Sequence, residues 1–488
     1  MDLIRLFALI LVSGCAVPQR AGNEISWDRE GREAVVLLQE MIRIDTTNPA
    51  AEGSPNETAL LLRVKEILSA HGIESRIYES APGRGNLVAR YRSGGTRRAM
   101  MILAHVDVVN ADPGMWETDP LSGEIRDGFL WGRGALDDKG MAAVGVRVMC
   151  LLGRIRPELD RDVILMLNAD EESGGKFGAK YMRDRYGEEL DCAFVLNEGG
   201  RIALGADGRV SRVSLQCSEK VYNDFRLWMP GRSGHSSVPV LPNAIFDLAE
   251  VLARLNDFQL PVRVTPIMAE HFKAIAGFPE NHPFREMMEK VGQGDRESAR
   301  RLSALRPDFN AVLRTTFVPT EIRGGIRVNV LPPSAEVNFN VRMLPGDNLR
   351  EVMEAMARRA GLGEVAVMSV EEFEASSPAS RENPVFVLDT QEVDAPDSPW
   401  DHEVIRAVKR LLARMAPGAT VVPVMLTGAT DSRFFRERGV PSYGIHPCPS
   451  GLAELRTIHN HNERVRVSSV EWGVRWLYEL VLELGKYK

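Results

Sequence analysis

The sequence predicts an α/β fold: a mixed, mostly parallel sheet covered by helices and interrupted by a smaller α+β domain of the split βαβ, ferredoxin-like kind. Three observations carry this. Apolar runs at Met101–Ala104, Val163–Leu167 and Cys192–Leu196 read as strands buried on both faces. Segments with a helical apolar repeat alternate with them. Near Val210 the texture changes to longer strands, and near Asp401 the first texture returns.

The chain has 488 residues, too many for one compact core. Its N-terminus reads as a targeting segment, residues 1–26. Leu3 to Val12 is a short apolar run with Arg5 near its start, followed by Ser13-Gly14-Cys15. This resembles a bacterial lipoprotein processing site, with Cys15 as the lipidated residue. The chain is therefore expected in the bacterial cell envelope, lipid-anchored or periplasmic, ahead of the cytoplasm. Asp2 and Val12 depart from the usual pattern.

Glu30 to Met41 has helical periodicity, Thr46-Thr47-Asn48-Pro49 is a turn, and Glu57 to His71 is a second helix stopped by Gly72. Ser75–Tyr78 and Asn86–Tyr91 read as strands ahead of the one that ends at His105. Gly132-Arg-Gly-Ala-Leu-Asp-Asp-Lys-Gly140 then opens a helix to about Leu152; its glycines match neither nucleotide-binding spacing. Strands Asp162–Asn168 and Cys192–Leu196 complete a first catalytic segment, 27–209.

The smaller domain is expected over 210–376. It comprises a long strand Val213–Met229, helix Asn243–Leu255, strands Thr315–Val330 and Ala335–Arg342, helix Leu349–Ala360 and strand Val365–Val370. A helical, charged insertion occupies about 260–310, and Ser376–Pro399 reads as a linker. Segment 377–488 returns to α/β texture with helix Asp401–Met415, strands Val421–Leu426 and Ser442–Ile445, and a last helix from Ser468.

Composition excludes several functions. A net charge of −7 gives no footprint for nucleic acid. The five cysteines form no CxxC pair or even framework, so any metal must be held by histidine and carboxylate. Such residues gather where strands end. His105 and Asp107 are two apart and share a face; Glu171, Glu172 and Glu198 follow two further apolar strands. In open α/β sheets, sites form at the carboxyl ends of strands.

These residues stand in ordered motifs: Ala104-His-Val-Asp107, Gly132 to Gly140, Asp170-Glu-Glu-Ser-Gly174, Asn197-Glu-Gly-Gly200, Gly234-His-Ser-Ser-Val-Pro239 and His459-Asn-His-Asn-Glu463. With them the sequence resembles the zinc amidohydrolases that include carboxypeptidase S, aminoacylase, acetylornithine deacetylase and succinyl-diaminopimelate desuccinylase. The resemblance spans about residues 30 to 485 and implies two Zn²⁺, with Co²⁺ or Mn²⁺ able to fill the same site. It assigns His105 and Glu198 to one ion, Glu172 and His459 to the other, and Asp137 as the bridge, followed by a cis Asp137–Asp138 bond. Asp107 would orient His105, and Glu at 198 is the aminoacylase and carboxypeptidase S form.

By the same resemblance Glu171 is the general base for attack of a zinc-bound hydroxide on an amide beside a free carboxylate. His235 would stabilise the oxyanion, typically from the other subunit of a homodimer formed through the smaller, lid-like domain. Arg342 and Asn329 resemble the pair that holds the substrate carboxylate, while Thr430 and Asp431 would line the pocket. His461 falls two residues past the ligand position, and His71, His271, His282, His402 and His446 match no motif position and are read as structural or surface residues. The implied substrate is a small peptide or an N-acyl amino acid. The alternatives are a catalytically silent zinc-binding scaffold and the reverse, amide-forming reaction.

Overall fold

The computed structural model describes residues 25–48, 56–377, 381–391 and 394–486. The apolar leader and Cys15 lie outside them. No helix among the described residues is long and apolar enough to cross a membrane.

With strands numbered in chain order, the larger, nine-stranded sheet holds β1 (Glu74–Glu79), β2 (Gly85–Tyr91), β3 (Arg97–His105), β6 (Arg161–Asn168), β7 (Cys192–Asn197), β8 (Arg201–Leu204), β9 (Val210–Glu219), β17 (Thr420–Leu426) and β18 (Ser442–Gly444). Their order is β1-β2-β6-β3-β7-β18-β9-β17, with β8 on β9. The centre, β6-β3-β7-β18, is parallel; β1, β2, β8 and the β18–β9 join are antiparallel.

Alternate residues of β3 enter opposite cores, as the two-residue pleat requires. Met100, Ile102 and Ala104 pack with helices α1 (Trp27–Arg43), α2 (Glu57–Ala70), α3 (Lys139–Ile155), α12 (Glu403–Met415) and α15 (Val467–Leu484). Met101 and Leu103 pack with α4 (Ala179–Tyr186) and α13 (Ser432–Arg436). That two-sided burial is why the strand reads as an unbroken apolar run.

The smaller, five-stranded sheet has the order β12 (Thr316–Gly324), β14 (Ser334–Met343), β10 (Val221–Pro230), β16 (Val385–Gln391), β15 (Ala366–Ser369). Helices α5 (Ala244–Leu255) and α10 (Leu349–Ala360) cover it around Phe225, Leu227 and Phe339. Two sequence expectations are corrected. The long strand Val213–Met229 breaks at Lys220: β9 stays in the larger sheet and β10 belongs to the smaller, so the crossing falls about ten residues later than expected. The break is pinned by the buried Lys220 ammonium, which donates to the carbonyls of Ala311 and Arg314, both at 2.8 Å. The segment read as a linker contains β16, paired between β10 and β15, so the smaller sheet continues past residue 376.

The insertion forms α6 (Pro266–Ile275), α7 (Arg285–Gly292), α8 (Arg296–Leu305) and α9 (Pro307–Leu313). Its Phe272, Met288 and Leu302 share a core with Val422 and Met425 of β17, so it buttresses the edge of the larger sheet. A short ribbon of β4 (Ile125–Arg126), β5 (Phe129–Trp131) and β19 (Arg464–Arg466) lies beside the site loops. A two-residue pair, β11 (Gly234–His235) with β13 (Val330–Leu331), sits at the tip of the smaller sheet.

Candidate active site

The parallel centre of the larger sheet places its strand ends side by side. His105, the last residue of β3, is in register with Asn168, the last residue of β6. The chain after β6 makes a short 3₁₀ turn, Glu171–Ser173, and β7 hands on to Glu198. Asp137 enters from the loop before α3, through the expected cis bond to Asp138. His459 comes from the turn ahead of β19, with a positive φ of 54°.

These side chains converge. His105 Nε2 lies 2.9 Å from Asp137 Oδ1, and His459 Nε2 lies 3.0 Å from Asp137 Oδ2 and 3.1 Å from Glu172 Oε1. Asp137 thus presents one oxygen to each imidazole, the disposition of a bridging carboxylate. Ligand atoms of His105, Asp137 and Glu172 all lie within 4.8 Å of one another. Glu198 stands outside that tight group but lines the same cavity of about 350 Å³.

Asp107 does more than face His105. Its backbone carbonyl is 3.0 Å from His105 Nδ1. Its two carboxylate oxygens accept the backbone N–H groups of Glu171 and Glu172, each at 3.1 Å, and Asn48 Nδ2 donates to it at 2.8 Å. One buried carboxylate therefore sets both the imidazole and the acid pair.

The electrostatics fit a cation site. Burial pushes the carboxyls of Glu171, Glu172 and Glu198 up, and neighbouring acids push the same way. Burial would also push His105 down, but Asp107 and Asp137 outweigh it and hold the imidazole well above its usual range. Asp137 and Glu172 raise His459 to about 10. Clustered buried carboxylates are costly unless a positive charge compensates them. Imidazole and carboxylate donors without thiolate suit Zn²⁺, Co²⁺ or Mn²⁺. The residues present therefore fit a bound metal.

Other expected residues fall elsewhere. Thr430 lines the cavity, while its N–H and hydroxyl donate to Glu219 at 3.0 and 2.9 Å. Asp431 does not line it: it is buried, accepts from Asn168 Nδ2 at 2.5 Å, and is raised to about 7 by that burial. His235 is exposed and bonded within its own turn to Ser237 Oγ at 2.7 Å. Asn329 is beside it, its carbonyl accepting from Ser236 N at 3.1 Å. Arg342 lies eight residues along β14 from Ser334, about 27 Å at strand rise, with its guanidinium stacked 4.3 Å over the Tyr222 ring. Within one chain the expected Arg342–Asn329 pair is therefore not together. The strand that separates them runs the length of the smaller sheet. His461 is exposed.

Three residues of the site had no role in the sequence reading. Glu463, fully buried, accepts the N–H groups of Gly134, Leu136 and Asp137 and pairs with Arg133 at 2.7 Å, so it shapes the loop that aims Asp137. Its place at the end of the His459 motif was the available signal. His446, read as structural or surface, lines the cavity with Nε2 3.8 Å from Asp138 Oδ1. Arg201 is the one arginine or lysine among the described residues of the cavity wall; burial and the charge of Arg212 lower its pKa. None of the described residues of the insertion line that wall.

Residues 101–483 match the sequence profile described as peptidase family M20/M25/M40. The chain is 28% identical over 469 residues to the N-fatty-acyl-amino acid synthase/hydrolase PM20D1 of Xenopus tropicalis, covering 93% of this chain and 86% of that protein. It is 25% identical over 403 residues to the probable carboxypeptidase S-like 2 of Dictyostelium discoideum, covering 80% and 72%. In fold it is similar to the M20 family metallo-carboxypeptidase Sso-CP2 of Sulfolobus solfataricus, with a TM-score of 0.63, 17% identity, and coverage of 93% and 99%.

Proposed function

The chain belongs to peptidase family M20/M25/M40 and is an enzyme of peptidase or amidohydrolase type, and from that premise we propose that it cleaves the amide of N-acyl amino acids with an apolar acyl group. The observation that carries this is one cavity lined by Asp137, Glu172 and His459, with His105 held against Asp137 behind them, and by a wall of Leu136, Leu426, Leu455 and Ile458. The polar face suits the reacting amide and the apolar face a hydrocarbon chain. The relative from Xenopus tropicalis, named for N-fatty-acyl-amino acids, supports the same substrate class.

His105 and Glu198 would hold one metal ion, Glu172 and His459 a second, and Asp137 both. Bound zinc would supply Lewis acidity to the amide carbonyl and acidify water. Glu171, half-buried and adjacent to a ligand without being one, takes the proton of the attacking water on its carboxylate. It then returns that proton to the leaving nitrogen. Asp107 and Glu463 keep the acid pair and Asp137 in place through backbone N–H groups. His235 would steady the carbonyl oxygen from a second copy of the chain. The reverse, amide-forming reaction uses the same residues, and the name of that relative, synthase/hydrolase, favours keeping it.

The test is amino-acid release by the purified, metal-loaded protein from long-chain and acetyl N-acyl amino acids, dipeptides, and the α-carboxamides of each. Faster release from long-chain substrates than from acetyl ones or dipeptides is expected. A preference for dipeptides would replace the acyl reading with a carboxypeptidase, and no release from any substrate would overturn both.

A further inference from the structure

We propose that Arg84, acting through Asn48, is a positioning residue that holds Asp107 and the turn carrying Glu171 and Glu172 in the geometry a metal centre needs. The proposal rests on the reading of the His105–Asp137–Glu172–His459 cluster as that centre and adds the residues that set it from behind. The chain around Asn48, a turn in the sequence reading, is clamped to the loop after β3. Asn48 N donates to the Val108 carbonyl at 2.8 Å, Val108 N to the Thr46 carbonyl at 3.1 Å, and Thr46 Oγ1 to the Val106 carbonyl at 2.6 Å. This clamp lays the Asn48 amide against the Asp107 carboxylate.

The amide faces acids on one side and a cation on the other. Its Nδ2 donates to Asp107 at 2.8 Å and to Asp170 at 3.2 Å, while its Oδ1 accepts from Arg84 Nη2 at 2.6 Å. Only this orientation of the amide matches donors to acceptors at both ends. Arg84, buried just ahead of β2, pairs through Nη1 with Glu57 at 2.6 Å, and its Nη2 lies 3.4 Å from Asp170 Oδ1. Asp170 Oδ2 accepts the Phe177 N–H at 2.9 Å, and the Phe177 ring stacks on the Arg84 guanidinium. Asp170 itself stands at a positive φ of 70°, immediately before the 3₁₀ turn of Glu171 and Glu172. One guanidinium thus reaches both supports of the acid pair: Asp107, whose oxygens take their N–H groups, and Asp170, from which their turn springs. Buried ion pairs contribute little net stability, because desolvation offsets the attraction. What the planar fork of arginine contributes is direction.

The experiment measures metal affinity by chelator competition, kcat and KM at saturating metal, and thermal melting for wild type, N48A, R84K and the N48A/R84K double variant. N48A and R84K are each expected to weaken metal affinity by about 10- to 100-fold, as loss of a supporting partner does, and to lower kcat more than they change KM. The double variant is expected to lose less than the product of the two single losses, because both act on Asp107 through one amide. A lower melting temperature with metal affinity and kcat unchanged would overturn the proposal, and so would losses that multiply. If R84K does not fold, N48A, which alters no charge, carries the test by itself, and wild-type metal affinity and kcat in it would overturn the proposal. Chelator competition needs no substrate. If wild type binds metal but cleaves no amide, the hydrolase reading fails and the affinities still judge Arg84 and Asn48. A wild type that binds no metal would overturn the metal reading and the proposal with it.

Discussion

Glu171 and Glu172 are neighbours in the chain with different surroundings. Glu172 touches His459, whereas Glu171 is raised by burial and by the charges of Asp431, Glu198 and Glu172. E171Q is therefore expected to lower kcat by about 10²- to 10⁴-fold, the range of a lost general base, with metal content by elemental analysis unchanged. Loss of metal would show Glu171 to be a ligand instead. Glu463 makes a second residue-scale prediction. It satisfies three backbone donors that aim Asp137, so E463Q should weaken metal affinity by about 10- to 100-fold, as removal of a supporting carboxylate does. Chelator competition reads this directly, and an unchanged affinity would refute it. The residues that cluster around Asp137 were legible because each motif carries them in order. Glu463, His446 and Arg201 were not, because their importance lies in which loop they face.

At the scale of elements, Lys139 ties the cis-peptide loop to α1. Its buried ammonium donates to the carbonyls of Met41 and Ile44 at 3.0 and 2.9 Å where α1 ends, the Met41 carbonyl also accepting the Ile44 N–H at 3.3 Å. K139M removes both of these bonds and is expected to cost about 2–4 kcal/mol in urea unfolding. Burial lowers this lysine from 10.5 to about 8. Between those values the folded chain binds fewer protons than the unfolded one, so the wild-type advantage rises with pH across that window. A K139M stability difference that is flat or falling from pH 8 to 10 would contradict this. The same scale holds the two misread elements. Strand periodicity continues through Lys220 because a chain passing from one sheet to another keeps its two-residue alternation. β16 was hidden because its flanks are rich in Ser, Pro and Asp, and its pairing partners are distant in sequence.

The whole molecule carries an open edge. Among the described residues β12 pairs on one side only, with β14, and exposes Val318 and Ile322. Leu241, Phe246, Ile326 and Val328 of the same domain are exposed as well, with Phe246 71% and Ile322 66% exposed. Edge strands and contiguous apolar surface of this kind call for cover, and a second copy laid edge to edge covers both in a self-complementary way. We expect wild type to elute as a dimer by light scattering, and the I322E/F246E double variant as a monomer with an unchanged melting curve. A monomeric wild type would sink the arrangement. It would also remove the route by which His235 and Asn329, carried beside that patch, reach a metal centre. For the N-terminus, lipidation at Cys15 predicts that C15S moves the protein from the membrane fraction to the soluble one; equal partition of both would refute the anchor.

Local chemistry was written in the sequence itself. Unbroken apolar runs gave the buried parallel strands, their endings gave His105, Glu171, Glu172 and Glu198, the family motifs added Asp137 and His459, and capping and periodicity gave helices such as Leu349–Ala360, whose bounds agree with the structure. Tertiary structure decided what depends on distant partners: the switch between sheets at Lys220, the pairing of β16 and the separation of Arg342 from Asn329. The physical reason is that periodicity and motif spacing report contacts with near neighbours along the chain. Which face a loop residue presents, and which sheet a strand joins, is settled by packing between segments hundreds of residues apart.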